Sequence, residues 1–366
     1  MIQKVSLLRI SAIFLIAVLI LTSSFSASQN VKRYISNLFS VGSETVEKID
    51  ITSCQPEHDA FHGTTPYPSI EWWYFDCMFN QNYSAHIGFK VFTYQGFNLL
   101  KPSINIYRDT KLIANETTFL FPFEFTVSEQ IPEIKIGNEP VMKFDKSIYD
   151  QSGKWQYHVR YSFKGVGVNL TFFGESKGWV YHTNHEGWTV AIPQGKVEGQ
   201  IYVNDEIITV NGRGYHDHNW NFSLQTPVKG WSWYWGKITG DTLNFAWAII
   251  KDTGVGKQTF ADRLGVLNTQ HDEFFVIDPQ NITFHAESFI FRNNRFIPTS
   301  FYISAEQDNV SMKVSIKTEG IHRSDPTTFT LHYWRYFVSV TGFISYKENV
   351  EYLDEKLQIM EYMRFV

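Results

Sequence analysis

From Ile70 to the C-terminal Val366, apolar and polar residues alternate in short bursts. The clearest are Ser84–Tyr94, Trp155–Phe163, Gly165–Phe173, Gly199–Val210, Trp231–Ile238, Thr242–Ile250, Phe284–Phe291 and Ser311–Lys317. A period of two marks a strand with one face buried. Turn signals such as Asp150-Gln151-Ser152-Gly153 and Asp252-Thr253-Gly254 fall between the bursts, where strands are expected to reverse. Sustained helical periodicity is missing apart from a short, weak stretch near Val31–Leu38. Many short strands with closely spaced turns predict an all-β chain of antiparallel barrels or sandwiches.

The same pattern divides the chain. At Asn221–Lys229, Ser223, Gln225, Thr226 and Pro227 interrupt two aromatic strands, so one domain is expected over 53–222 and a second over 223–366. Residues 29–52 carry no strong period and read as a linker. Before them, Lys4 and Arg9 precede an apolar run from Ile10 to Leu21, followed by Thr22, Ser23 and Ser24. That is the layout of a secretory signal peptide over 1–28. Counted back to Val5, the run approaches the ~20 residues of a spanning helix, so an uncleaved membrane anchor is the alternative. Either reading places the folded part outside the cytoplasm, secreted or membrane-anchored.

Composition narrows the function. Aromatic residues are 17% of the 366, with 31 Phe, 19 Tyr and 11 Trp, enough for a large core or an apolar ligand cavity. A net charge of −5 leaves no basic face for nucleic acid. Two cysteines, Cys54 and Cys77, allow one disulfide or two free thiols. Sequons begin at Asn82, Asn115, Asn169, Asn221, Asn281 and Asn309.

Candidate chemistry concentrates in Gly212-Arg213-Gly214-Tyr215-His216-Asp217-His218-Asn219-Trp220-Asn221. On a strand, His216, His218 and Trp220 share one face, while Tyr215, Asp217 and Asn219 share the other. Glu71-Trp72-Trp73-Tyr74-Phe75-Asp76 divides in the same way, and Trp231, Trp233 and Trp235 fall on a single face. A His-x-His pair invites a metal. No third ligand stands at metal-site spacing, however, and one would have to come in space from His58, His62, His182 or His185, so no metal is assigned. A Gly-x-Ser-x-Gly elbow is absent, which weakens nucleophilic hydrolysis. General acid–base chemistry fits best, because an apolar surrounding keeps a carboxyl protonated near neutral pH. The catalytic candidates are Asp217, His218, His216 and Glu71. The expected ligand walls are Trp73, Tyr215, Asn219, Trp220, Trp231, Trp233, Trp235, Phe245 and Trp247.

Three of these segments also resemble a known family. Glu71-Trp72-Trp73-Tyr74-Phe75, Gly214-Tyr215-His216-Asp217-His218-Asn219-Trp220 and Trp231-Ser232-Trp233 are similar, in order, to signatures of the carotenoid 1,2-hydratase (hydroxyneurosporene synthase) family. That family includes lipocalin-like secreted proteins and fungal Diels–Alderases. The resemblance implies two tandem lipocalin-like antiparallel β-barrels, an apolar ligand at or near their junction, and no cofactor. It matches His218 and Trp220 to positions implicated in protonating an alkene so that water can add. Where the hydratases are expected to carry a Tyr-x-Asp acid pair, this chain reads Asn244-Phe245-Ala246-Trp247, which moves the role of acid to Asp217 or Glu71. The expected partner is a hydrophobic small molecule (a polyene, isoprenoid or lipid) that undergoes hydration, isomerisation or cyclisation. The alternatives are a non-catalytic carrier and a structural envelope protein.

Overall fold

The computed structural model describes residues 50–365 except 66–67, 184–185, 205, 224–229, 253–261, 271, 293–294 and 325–330. The segment read as a signal peptide or anchor, the segment read as a linker up to residue 49 and the stretch near Val31–Leu38 lie outside the described residues.

Two antiparallel sheets account for almost all of the rest. The first holds β1 (Ile51–Ser53), β2 (Ser69–Phe79), β3 (Tyr83–Tyr94), β4 (Phe97–Arg108), β5 (Lys111–Thr117), β6 (Phe125–Val127) and β7 (Glu133–Ile136). It continues with β8 (Glu139–Phe144), β9 (Gln156–Phe163), β10 (Val166–Gly174), β11 (Trp179–His182), β12 (Gly187–Val203) and β13 (Glu206–Ser223). Its order is β5-β4-β3-β2-β13-β12-β10-β9-β8-β7-β6, with β11 bridging β1 to β12. An isolated bridge from Leu100 to Leu120 continues the pairing of β4 with the chain beyond β5.

The second sheet holds β14 (Gly230–Thr239), β15 (Leu243–Asp252), β16 (Arg263–Thr269), β17 (Phe274–Ile277), β18 (Ile282–Arg292), β19 (Arg295–Gln307), β20 (Val310–Ser324), β21 (Leu331–Tyr346) and β22 (Asn349–Phe365). Its order is β17-β16-β15-β14-β22-β21-β20-β19-β18. Each sheet curls around its own apolar core, giving the expected all-β architecture of two tandem lipocalin-like barrels. The first strand starts at Ile51, inside the last residues of the stretch read as linker.

The strand period decides what each side chain meets. On β2, Trp73, Phe75, Cys77 and Phe79 enter the first core, while Trp72 and Tyr74 face outward. On β22, Met360 and Tyr362 enter the second core, while Ile359 and Glu361 face outward. The two outward faces pack on each other. Between them lie Tyr74, Trp179, Trp188, Tyr215 and Trp235, with Trp179 on Trp188 at 5.0 Å and 80° and Tyr74 on Trp235 at 5.3 Å and 72°. Edge-to-face pairs of this kind add ~0.5–1.5 kcal/mol each beyond area burial. Polar ties cross the same junction: Trp179 Nε1 donates to Asn268 Oδ1 at 3.1 Å, and Asn244 Nδ2 donates to the Pro193 carbonyl at 2.6 Å. Cys54 and Cys77 are buried free thiols.

Candidate functional site

The adjacent strands β2 and β13 form a wall with different chemistry on its two faces. Their register pairs Tyr215 with Asp76, His216 with Phe75, Asp217 with Tyr74, His218 with Trp73 and Asn219 with Trp72. The four catalytic candidates are therefore divided. Asp217 faces the junction between the barrels, whereas Glu71, His216 and His218 face the interior of the first barrel.

On the junction side, a pocket of about 90 Å³ is lined by Trp72, Trp188, Asp217, Asn219, Trp233 and Trp235, with Glu361 opposite. Phe222 joins this wall although strict alternation would turn it away. The β2–β13 register slips between Asn219 and Phe222, where Asn221 adopts φ 63°. The extra residue of a bulge returns the next side chain to the earlier face. Phe222 then packs between Trp72 at 4.6 Å and Trp233 at 5.3 Å.

Asp217 is buried and held by neutral donors. The Tyr215 hydroxyl donates to its Oδ2 at 2.8 Å, Trp188 Nε1 to the same oxygen at 3.1 Å, and Asn219 Nδ2 to Oδ1 at 3.2 Å. Burial outweighs these donors and pushes its carboxyl up to about 7. The other junction carboxylates are treated differently. Asp76 pairs with both Lys237 and Arg335, and Glu361 receives Arg335 Nη1 at 2.9 Å and the Tyr74 hydroxyl at 2.7 Å. These cations hold Asp76 down at about 2, although burial opposes them, whereas burial keeps Glu361 raised. Two cations thus serve two carboxylates, and among the described residues Asp217 has no ion pair.

On the inner side, a short helix α1 (Pro56–Asp59) delivers Asp59 into the first barrel. The Tyr157 hydroxyl donates to its Oδ2, the His216 Nε2 lies 3.0 Å from the same oxygen, and Trp73 Nε1 donates to its carbonyl at 2.8 Å. His216 Nδ1 lies 3.0 Å from the Tyr74 carbonyl, and the ring stacks on Phe75 at 3.9 Å and 4°. His218 stacks on Trp73 at 4.3 Å, and Trp220 covers His62 at 4.1 Å and 5°. Gly187 makes that cover possible: a Cβ there would stand 2.0 Å from the Trp220 ring. Burial pushes Glu71 up and His218 down, and takes His62 down to about 4.

The expected ligand walls are redistributed accordingly. Asn219, Trp233 and Trp235 line the junction pocket, and Tyr215 supports Asp217 beside it. Trp73 and Trp220 belong to the inner cluster. Phe245 and Trp247 do not reach the junction. They pack in the core of the second barrel, while Ala246 and Ala248 of the same strand face the junction. Trp231 lies on β14, but its side chain is outside the described residues, as is His185. Trp188, Glu361, Arg335 and Asp59 are additions that the motif reading did not reach. His62 supplies the donor in space that local spacing lacked.

The fold and site together define a lipocalin-like two-barrel protein with an acidic, aromatic junction pocket. No protein-family model and no curated protein matches the chain. Among solved structures, an AttH-like protein from Nitrosomonas europaea is similar with a TM-score of 0.61 and 13% identity, covering 89% of this chain and 100% of its own. Kievitone hydratase from Nectria haematococca is similar with a TM-score of 0.52 and 12% identity, covering 90% of this chain and 98% of its own. At these identities the likeness is one of fold.

Proposed function

We propose that the chain is an enzyme that protonates a largely hydrophobic, unsaturated small molecule bound at the barrel junction, with Asp217 as the acid. The observation that carries this reading is a carboxyl pushed up to about 7 and set in a wall of tryptophans. A general acid works best with a pKa near the operating pH, and the faces of Trp233, Trp235 and Trp72 favour the cation that forms when an alkene takes a proton. Tyr215, Trp188 and Asn219 hold the carboxyl in place and accommodate its negative charge once the proton has left. Water, a neighbouring base or an internal alkene then completes hydration, isomerisation or cyclisation. A pocket of about 90 Å³ fits one branched end of a polyene or isoprenoid, leaving the remainder outside. The name of the hydratase of similar fold agrees with this reading, and the signal-like N-terminal segment, with Lys4 and Arg9 ahead of the apolar run Ile10–Leu21, supports a site of action outside the cytoplasm.

The test is to incubate the purified protein with isoprenoid and polyene candidates and to analyse the recovered molecules by mass spectrometry. A product altered by the wild type and unaltered by Asp217→Asn supports the reading. A ligand that binds and returns unchanged from the wild type makes the protein a carrier instead.

A further inference from the structure

We propose that His62, Glu71 and His218 form a divalent-cation site on the inner face of the first barrel, separate from the junction pocket. His218 Nε2 and His62 Nδ1 lie 2.8 and 2.9 Å from Glu71 Oε1, and all three donor atoms fall within 4.8 Å of one another. Around a tetrahedral ion with bonds of ~2.0–2.1 Å, donor atoms stand about 3.3 Å apart. The two separations from Glu71 would each open by a few tenths of an ångström to admit the ion, and the two imidazoles, within 4.8 Å of each other, would close on it.

The second observation is His218 itself. Its ring is fully buried and neither nitrogen has a hydrogen bond of good geometry, although Nε2 interacts with Glu71 Oε1 at 2.8 Å. Buried polar atoms seldom stay unsatisfied, and a cation at Nε2 gives this one its partner. Behind it, Asp59 Oδ1 is also without a hydrogen bond and lies 3.5 Å from His218 Nδ1. A carboxylate behind a ligating imidazole orients the ring and presents the opposite nitrogen to the metal. Trp220, stacked on His62, fixes the second imidazole.

Two imidazoles and one carboxylate favour borderline cations such as Zn²⁺, Co²⁺, Ni²⁺ or Fe²⁺ over the all-oxygen ions Mg²⁺ and Ca²⁺. Three protein donors leave a position for water or a ligand, as in catalytic rather than purely structural zinc sites.

The experiment uses the full chain stripped with a chelator, then titrated with Zn²⁺ by calorimetry and with Co²⁺ by visible absorption. One cation per chain is expected, with Co²⁺ bands of low coordination number. His62→Ala, at a side chain that reaches the surface, should keep the wild-type circular dichroism spectrum and weaken Zn²⁺ binding at least tenfold, and Glu71→Gln should weaken it as much. His285→Ala, an exposed histidine on the second barrel, should leave it unchanged. Absence of saturable uptake overturns the proposal. So does uptake that survives both His62→Ala and Glu71→Gln, or uptake that is lost in His285→Ala.

Discussion

Asp217 and His218 are joined by one peptide bond and face opposite compartments. The Asp217 carboxyl meets Tyr215, Trp188 and the junction pocket, whereas the His218 ring lies against Trp73, Glu71 and Asp59 inside the first barrel. Substitutions at the two positions should therefore have different consequences.

Asp217→Asn removes the acid and keeps the shape. Turnover should fall by about 10²–10⁴-fold, the usual contribution of a positioned acid, with ligand affinity and circular dichroism unchanged. Steady-state kinetics beside a binding titration checks this, and wild-type kcat in the variant would exclude Asp217 as the acid.

The raised carboxyl also makes stability depend on pH. In the unfolded chain Asp217 ionises near its ordinary value of 3.8, but in the folded protein only at about 7. Its neutral form therefore favours the fold fully below the ordinary value, and that contribution is lost as pH rises to about 7. Glu361 shifts in the same direction in both proteins, so the quantity to compare is the stability of wild type minus that of Asp217→Asn. Denaturant melts between pH 4 and 8 should show this difference falling with pH, and a flat difference would contradict the burial argument.

Tyr215→Phe removes a donor that favours the ionised carboxylate. The pKa of Asp217 should move above 7, and the alkaline limb of the activity profile should move up with it. A limb that stays in place or moves down would mean that the hydroxyl does not act on this group.

Arg335→Met leaves Asp76 and Glu361 without their shared buried guanidinium. Breaking one partner of a buried pair costs about 3–5 kcal/mol, and the loss should appear in thermal and denaturant melts. Combining it with Asp76→Asn should cost less than the sum of the two single changes.

Gly187→Ala drives a methyl group into the Trp220 ring. Overpacking of this kind costs about 1–3 kcal/mol, and Trp220 should lose its stack on His62, which tryptophan fluorescence would report.

Much of this arrangement is legible in the chain. The period of two places Tyr215, Asp217 and Asn219 opposite His216, His218 and Trp220, and the structure keeps that division. What local pattern cannot supply is which face meets which compartment. In β15 both faces are buried, so Phe245 and Trp247 read as ligand walls just as well as they read as core. Asp59 sits in a segment without a period, and its partners His216 and Tyr157 are distant in sequence. Arg335 and Glu361 do leave a signal, since each is a lone charge inside an aromatic or apolar strand, Tyr333-Trp334-Arg335-Tyr336 and Ile359-Met360-Glu361-Tyr362. Only the packing of the two barrels shows that they meet Asp76 and Tyr74.

The wall formed by β2 and β13 also limits how this protein can change. Because its two faces are distinguished only by alternate positions, inserting or deleting one residue between Gly214 and Trp220 would turn the side chains on one side of the change to the opposite face, so that acid and imidazoles no longer keep to their own compartments. Point substitutions can alter either compartment separately, but a change in strand length alters both together. Variants of this segment that keep the chemistry should therefore differ by replacement or by paired length changes, never by a single-residue slip.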